Sequence, residues 1–141
     1  MKITFTVYGK PEPQGSTRAF MPKGWKRSII TTDNAKLKPW RQELVHTAIA
    51  AVQSSSLPFP KGVAVHLVLR FYLDKPASVP KRRLYPTVKP DASKLLRAVE
   101  DSLTGTVWHD DAQVVSTHVE KHYGAPQRVE IEVWSIDEVA A

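Results

Sequence analysis

The clearest β-strand in this chain of 141 residues is the stretch Val63-Ala64-Val65-His66-Leu67-Val68-Leu69-Arg70-Phe71-Tyr72. Apolar residues occupy every second position, and the positions between them are only partly polar. Alternation of this kind indicates a β-strand, and apolar residues on both faces are typical of a strand that is covered on both sides. We therefore expect this stretch to be a central strand of the fold.

Two helices and three further strands are predicted around this strand. One helix covers about Lys38–Val52 and begins with a proline that suits a first helical position. The other covers about Ala92–Leu103, has one apolar face and ends before Gly105. The further strands are Lys2–Tyr8, about Gln113–Lys121 and about Arg128–Ile136. The order β-α-β-α-β-β predicts an α+β fold, a mixed four-stranded sheet with both helices packed on one face, and the length predicts a single domain over residues 1–141.

Two long basic loops separate these elements, at residues 9–34 and 74–90. Their proline and glycine residues predict no regular structure. Lysine and arginine neutralise DNA phosphates, and the aromatic rings of Trp25 and Tyr85 can stack on unpaired bases. The alternative is a solvated loop that is held by a buried aromatic residue. The predicted DNA-binding residues are Lys23, Lys26, Arg27, Lys81, Arg82, Arg83, Lys89 and Lys94.

The charge of the chain is divided between two parts. Residues 1–90 contain sixteen Lys and Arg and four Asp and Glu, whereas residues 91–141 contain four Lys and Arg and ten Asp and Glu. A basic surplus favours a polyanionic partner such as nucleic acid. The lack of cysteine excludes disulfides, thiol nucleophiles and cysteine-bound metals. Because neither a signal peptide nor an apolar run of about eighteen residues is present, we expect a cytoplasmic protein with no membrane partner.

Acidic residues lie at both ends of the second predicted helix. Asp91 is at the position of a helix N-cap, and Asp110-Asp111 follows the helix; capping and turn formation are the structural alternatives for these acids. The helix rises about 18 Å, and residues 105–111 span roughly 23 Å when extended, so the connection can return Asp111 to Asp91. Converging carboxylates in a basic protein predict a site for a hard divalent cation such as Mg²⁺.

The segments around these acids resemble a known family. Similarity to the motifs of RusA-type Holliday-junction resolvases is found in Lys89-Pro90-Asp91, in Asp101-Ser102-Leu103-Thr104-Gly105 and in Trp108-His109-Asp110-Asp111-Ala112-Gln113-Val114. The segment Val7–Ser16 resembles phage-borne members. The resemblance implies a homodimeric endonuclease of DNA recombination and repair that nicks two opposed strands of a four-way junction. It also implies dependence on Mg²⁺, with Mn²⁺ as a substitute, and a phage or prophage origin in a bacterial cell.

The resemblance further implies roles for individual residues. Asp91 and Asp111 take the positions of metal-binding carboxylates, and Asp110 is the neighbouring acid of the same motif. Arg97 takes the position of a basic residue, where a cation can contact the scissile phosphate or stabilise charge in its transition state. The alternative for Arg97 is an i,i+4 ion pair with Asp101 on an exposed helix face.

Ser93 departs from the family's pattern, which has a second aspartate at this position. Three explanations are open. The site works with Asp91, Asp110 and Asp111 alone; Glu100 replaces the missing ligand, although it lies about 10 Å further along the helix; or the chain has lost its activity. Two alternative functions stay open beside junction resolution, namely a nuclease for flaps, forks and other branched DNA, and a non-catalytic junction-binding protein.

Overall fold

The computed structural model describes residues 1–15, 17–20, 23–24, 29–32, 34–53, 55 and 57–135. Its strands are β1 Lys2–Tyr8, β2 Thr17–Phe20, β3 Ile29–Thr32, β4 Val65–Leu73, β5 Val114–Tyr123 and β6 Arg128–Ser135, and its helices are α1 Leu37–Val52 and α2 Ala92–Leu103. A 3₁₀ turn, Asp111–Gln113, precedes β5. Both predicted helices and the four predicted strands are confirmed, with β4 beginning two residues later than predicted.

The main sheet has the strand order β1-β6-β4-β5. β4 lies between an antiparallel neighbour, β6, and a parallel neighbour, β5, which confirms the central strand and the mixed sheet. A parallel pair needs a crossover connection, and α2 lies within it. The N-terminus of α2 is therefore near the end of β5, where Lys121 Nζ donates to the carbonyl oxygens of Val88 and Pro90 at 2.9 Å each.

The hydrophobic core lies between one face of the main sheet and the two helices, as the α+β prediction requires. α1 packs on α2 and β1, and α2 packs on β5. The alternating apolar residues of β4 and β6 are buried on this face. The buried residues of the helices are Leu37, Trp40, Leu44, Ala48, Leu95, Ala98, Val99, Ser102 and Leu103. In the described part of the chain, no helix is long and apolar enough to cross a membrane.

The first basic loop contains regular structure that the sequence did not predict. Residues 17–20 and 29–32 form a two-stranded antiparallel sheet, β2-β3, in which Thr17 pairs with Thr32 and Phe20 pairs with Ile29. The prediction of an irregular segment over residues 9–34 is therefore wrong in part. The prolines and glycines of this segment all lie outside the two strands, and β3 consists of β-branched residues, which favour strands.

The opposite face of the main sheet, here called the outer face, carries charged and aromatic side chains. Arg70 of β4 contacts Glu132 of β6 at 2.8 Å and Glu120 of β5 at 3.5 Å. The two carboxylate oxygens of Glu120 lie 2.6 and 2.7 Å from Nε2 of His118 and His122. These contacts connect β4 to both of its neighbours, and Glu120 is at their centre.

Glu120→Gln is expected to weaken the outer face in a pH-dependent manner. Contacts with His122 and then with His118 lower the pKa of Glu120 from 4.5 to about 2. A carboxylate with a lowered pKa stabilises the folded state above its unfolded pKa, and this stabilisation is lost as the pH falls toward the folded value. The melting temperature of the wild type should exceed that of the variant at pH 5, and the two should converge near pH 2.

Thermal unfolding followed by circular dichroism at these two pH values measures the difference. The matched control is Glu43→Gln, which removes the same charge from an exposed position of α1. If the melting temperature of the wild type exceeds that of Glu120→Gln by the same amount at both pH values, the prediction is contradicted.

Candidate active site

Asp91 lies at the N-terminus of α2 with a carboxylate that is not used for capping. It occupies the N-cap position, yet its side chain makes no capping hydrogen bond. Its ion-pair contact is Lys94 Nζ, 3.8 Å from Oδ2, and its side chain is 54% exposed. Capping, the structural alternative for this residue, is therefore wrong. The carboxylate is accessible to a ligand.

A cavity of about 300 Å³ opens beside Asp91. Two of the predicted DNA-binding residues, Lys89 and Lys94, line it, and the structure adds Lys10 and Glu12. The cavity combines two carboxylates with three lysines, so it offers sites for a cation and for the phosphates of a polyanion in one place. Its lining consists of Lys10, Pro11, Glu12, Pro13, Leu73, Lys89, Pro90, Asp91 and Lys94.

The residues that follow β1 contact α2 and bring Glu12 to this cavity. The backbone N–H of Gln14 donates to the carbonyl of Lys94 at 3.0 Å, and Gln14 Nε2 donates to Asp101 Oδ2 at 2.5 Å. Glu12 is only 9% exposed. Sequence reasoning missed roles for Glu12 and Gln14. The available signal was their position in the segment Val7–Ser16, which resembles phage-borne members.

A tight turn ends α2 and changes the direction of the chain. The N–H of Val107 donates to the Leu103 carbonyl at 2.9 Å, and the N–H of Gly105 donates to the Trp108 carbonyl at 2.7 Å. Gly105 has a φ of +92°, a conformation that favours glycine. Residues 105–108 therefore fold at the end of the helix and the connection does not use its full extended reach; the expected approach of Asp111 to Asp91 stays a prediction.

Asp110 has a structural role in the 3₁₀ turn that follows. Its Oδ1 accepts from the N–H of Ala112 at 2.9 Å, while Gln113 Oε1 accepts from the N–H groups of His109 and Asp110 at 2.9 and 3.0 Å. This reciprocal arrangement is a capping box. The N–H of Ala112, followed by the side chain of Asp111, holds the pKa of Asp110 below its usual range. The predicted metal contact of Asp110 stays a prediction.

Asp111 lies near the acids in the C-terminal half of α2. Burial, followed by the charges of Asp111 and Asp101, raises the pKa of Glu100. Glu100 is separated from Asp91 by about 13 Å of helix. Among the described residues, no three histidine, aspartate or glutamate side chains are grouped as metal ligands. The structure thus places Asp111 near Glu100. That Asp111 and Asp91 bind the same metal ion stays a prediction.

Arg97 and Ser93 are exposed positions one turn apart on α2. Asp101, the alternative partner of Arg97, accepts the hydrogen bond of Gln14, and within the described ranges no ion pair joins it to Arg97. The i,i+4 ion pair is therefore wrong, and the guanidinium is accessible to a phosphate. Ser93 carries a neutral hydroxyl where the family's pattern has a carboxylate.

The second basic loop is held in place by one of its own lysines. Lys75 Nζ donates to the carbonyl oxygens of Lys81 and Arg83 at 3.2 and 2.7 Å. Lys81 and Arg82 are exposed, and they are available for phosphate. Tyr85 is 57% exposed, so the alternative of a buried aromatic anchor is wrong for this residue.

In the first basic loop, only part of the predicted DNA contacts can be described. Lys23 is exposed. Trp25, Lys26 and Arg27 lie outside the described residues. The contact of this loop with DNA stays a prediction.

The acids around α2 suit a hard divalent cation. Carboxylate oxygens are preferred ligands of Mg²⁺, and Asp91 has no capping bond to lose. Burial and the nearby charges of Asp111 and Asp101 raise the pKa of Glu100, and a bound cation relieves repulsion between like charges. Asp91 therefore fits the role of one ligand of the metal that the resemblance implies, and the acids around Glu100 belong to the other half of α2.

An accessible carboxylate among lysines, as at Asp91, offers positions for a metal ion and for DNA phosphates. Comparison with known families agrees: the family model described as endodeoxyribonuclease RusA matches residues 9–134, and the chain belongs to this family. The family comprises endonucleases that resolve Holliday junctions, bind junction DNA and generally depend on a divalent metal. The chain is also similar to the uncharacterized protein YqaN of Bacillus subtilis (strain 168), with 32% identity over 139 residues that cover 92% of this chain and 93% of the relative.

Proposed function

We propose that this chain is a Mg²⁺-dependent endonuclease that acts as a homodimer and resolves four-way DNA junctions by paired symmetric nicks. The observation that carries the proposal is the accessible carboxylate of Asp91, which has no capping bond and lines a cavity with Lys10, Lys89 and Lys94. A two-fold dimer presents two equivalent sites, as two symmetric nicks require. DNA recombination and repair in a bacterial cell that carries a phage or prophage is the corresponding setting.

Asp91 and Asp111 are the proposed ligands of Mg²⁺ or Mn²⁺, and Asp110 positions Asp111 through its capping bond to Ala112. When bound, the ion supplies positive charge at the phosphate and lowers the pKa of a coordinated water. Arg97, which is exposed on α2, stabilises the negative charge that develops on the scissile phosphate.

The lysines around Asp91 hold the strand in register for cleavage. Lys89 and Lys94 line the cavity, so a phosphate bound by them lies next to the proposed metal site. Lys81 and Arg82 bind phosphates further from the site. Tyr85 is exposed beside them and stacks on an unpaired base at the centre of the junction.

Cleavage of matched substrates tests this proposal. A four-way junction, a flap, a replication fork and a linear duplex, labelled on each strand in turn, are incubated with the full chain and Mg²⁺ or Mn²⁺. Paired nicks at symmetric positions of the junction, with slower cleavage of the other substrates, are expected. Equal or faster cleavage of the flap or the fork shows a nuclease with a broader choice of branched DNA.

The exposed hydroxyl of Ser93 favours one second candidate, a non-catalytic junction-binding protein. In that case the wild type binds junctions tightly and in a salt-sensitive manner but does not nick them with either metal. Restoration of nicking by Ser93→Asp supports this candidate. Nicking by the wild type that Asp91→Asn abolishes contradicts it.

The double variant Lys81→Ala/Arg82→Ala is expected to bind a four-way junction at least tenfold more weakly than the wild type at a fixed moderate salt concentration. The logarithm of affinity falls with the logarithm of salt concentration, and each lost phosphate contact makes this slope shallower by about 0.9. Loss of two contacts should therefore make it shallower by about 1.8 in total. Fluorescence anisotropy over a salt series measures both quantities.

The charge-matched control for this variant is Lys2→Ala/Lys38→Ala. Both residues are exposed, and neither lines the cavity beside Asp91. If the two double variants weaken junction binding equally, the effect comes from net charge alone. This result contradicts a role of the second basic loop in DNA binding.

A further inference from the structure

Lys121, near the end of β5, holds the backbone that leads into Asp91. Its Nζ donates to the carbonyl oxygens of Val88 and Pro90 at 2.9 Å each. These two carbonyls lie on either side of Lys89, and the carbonyl of Pro90 belongs to the peptide group that joins it to Asp91. One ammonium group thus connects a strand of the main sheet to the two residues, Lys89 and Asp91, on which the candidate site depends.

The segment 85–90 has little regular structure of its own to fix its course. It contains no helix or strand, and two of its six residues are prolines, which have no N–H to donate. Within the described residues, no backbone N–H donates to the carbonyl of Val88 or of Pro90. Lys121 therefore supplies the hydrogen bonds that the main chain does not supply here.

The sheet is a firm support for this contact. Lys121 is the register partner of Phe71 in the parallel pairing of β5 with β4, and Phe71 is fully buried, so the side chain of Lys121 emerges on the face of the sheet that carries the helices. In the described part of the chain, no carboxylate forms an ion pair with Lys121. Its charge therefore strengthens the hydrogen bonds to the two carbonyls.

The next residue of β5 contacts the beginning of the same segment. The ring of His122 lies 5.7 Å from the ring of Tyr85, at an interplanar angle of 50°, and His122 Nε2 is 2.7 Å from Glu120 Oε1. Two consecutive residues of one strand thus hold the segment at both of its ends, His122 at Tyr85 and Lys121 next to Asp91.

The direction of the Asp91 carboxylate depends on this backbone. The side chain makes no capping hydrogen bond, and its contact with Lys94 is 3.8 Å long, so its own contacts do little to orient it. Lys89 and Asp91 also line a second cavity, of about 670 Å³, together with Lys121. A shift of about 1 Å in a reacting group can slow a reaction by about a hundredfold. The backbone before Asp91 must therefore be held closely if the site is to cleave DNA.

From these contacts we infer that Lys121 is a positioning residue of the proposed nuclease. Its ammonium group fixes the backbone at Val88 and Pro90, and it thereby places the Asp91 carboxylate and the Lys89 side chain against the scissile phosphate. The inference rests on the proposed function and adds a residue that acts through Asp91. A direct contact of Lys121 with a DNA phosphate is the competing role, and the two roles differ in their effect on binding.

Lys121→Met, which keeps the length of the side chain and removes its donors, tests the inference. Single-turnover nicking of a four-way junction with Mg²⁺, at protein concentrations that saturate the junction, should slow at least tenfold. The dissociation constant of the junction should change less than threefold, with the salt dependence of the wild type, since no phosphate contact is lost. Lys121→Arg, whose guanidinium can donate to two carbonyl oxygens, should nick within about threefold of the wild-type rate.

Two controls accompany this variant. Lys38→Met removes the same charge from an exposed position of α1 that lies outside both cavity linings, and it should leave the nicking rate unchanged. Thermal unfolding followed by circular dichroism shows whether Lys121→Met is folded. If it is not, Lys121→Gln, whose side chain is uncharged and shorter, is measured in its place against the same expected results.

The failure of this inference differs from the failure of the proposed function. Nicking by Lys121→Met that is less than tenfold slower than that of the wild type overturns the inference, and so does Lys121→Arg if it is as slow as Lys121→Met. Weaker junction binding with a salt slope that is shallower by about 0.9 makes Lys121 a phosphate contact and overturns its positioning role. In these cases the nuclease stands if the wild type nicks the junction and Asp91→Asn does not. If the wild type nicks no branched DNA with Mg²⁺ or Mn²⁺, the proposed function and the inference are both overturned.

Discussion

Asp91→Asn is expected to slow the nicking of a four-way junction by about a thousandfold while junction binding is retained. A bound metal contributes several kcal/mol of transition-state stabilisation, and about 4 kcal/mol corresponds to a factor of about a thousand in rate. The amide of asparagine has nearly the same shape as the carboxylate, and Asp91 makes no capping hydrogen bond that the exchange removes. The fold should therefore be unaffected.

Single-turnover cleavage of a labelled junction, with anisotropy for binding, measures the two effects separately. Asp74→Asn is the matched control, since it removes the same charge from an exposed residue that lies outside the cavity lining. Cleavage by Asp91→Asn within tenfold of the wild-type rate excludes Asp91 as an essential ligand. A parallel loss of binding assigns Asp91 to DNA contact or folding instead of metal binding.

Trp108→Ala is expected to destabilise the protein by about 3 to 5 kcal/mol, a large part of the total stability of an ordinary domain. Trp108 is fully buried, and its indole Nε1 donates to Thr104 Oγ1 at 2.9 Å. The same turn is held to the chain before β4, because the N–H of Phe59 donates to the Val107 carbonyl at 2.8 Å. Loss of the ring therefore leaves a cavity under the segment that leads to Asp111.

Urea unfolding followed by circular dichroism measures this loss. Trp134→Ala is the matched control, because Trp134 is half-buried on the outer face and stacks on His66 with ring centres 5.3 Å apart. Trp134→Ala should lower the free energy of unfolding by clearly less than Trp108→Ala does. Trp108→Phe keeps most of the ring and loses one hydrogen bond, worth about 1 kcal/mol. If Trp108→Ala is no less stable than Trp134→Ala, the turn after α2 does not depend on this residue.

The helices and the central strand could be predicted because their patterns are local. In α2, Leu95, Val99 and Leu103 recur at helical spacing and are all buried. In β4, apolar residues on both faces correctly indicated a strand with a neighbour on each side. Periodicity reports which face of an element is buried, so it predicts the element wherever the burial is regular.

The conformation of the loops was predicted less well. β2 and β3 were not predicted because residues 9–34 are rich in proline and glycine. The composition of a whole segment does not show that two short strands lie between its turns. The connection after α2 has enough residues to reach Asp91 when it is extended, but the hydrogen bonds of Gly105 and Val107 fold its first residues into a turn. Maximum reach is only an upper limit for a connection.

The sequence alone determined the family, the α+β order of elements and the acids and cations from which a nuclease site can be built. These follow from motifs and from the period of apolar residues, which are properties of neighbouring positions along the chain. Only the tertiary structure showed that Asp91 does not cap its helix, that Asp110 caps the turn before β5, and that Glu12 shares a cavity with Asp91. Such contacts join segments that are distant in sequence, and they depend on how α2 packs against the residues after β1. No local pattern encodes that packing.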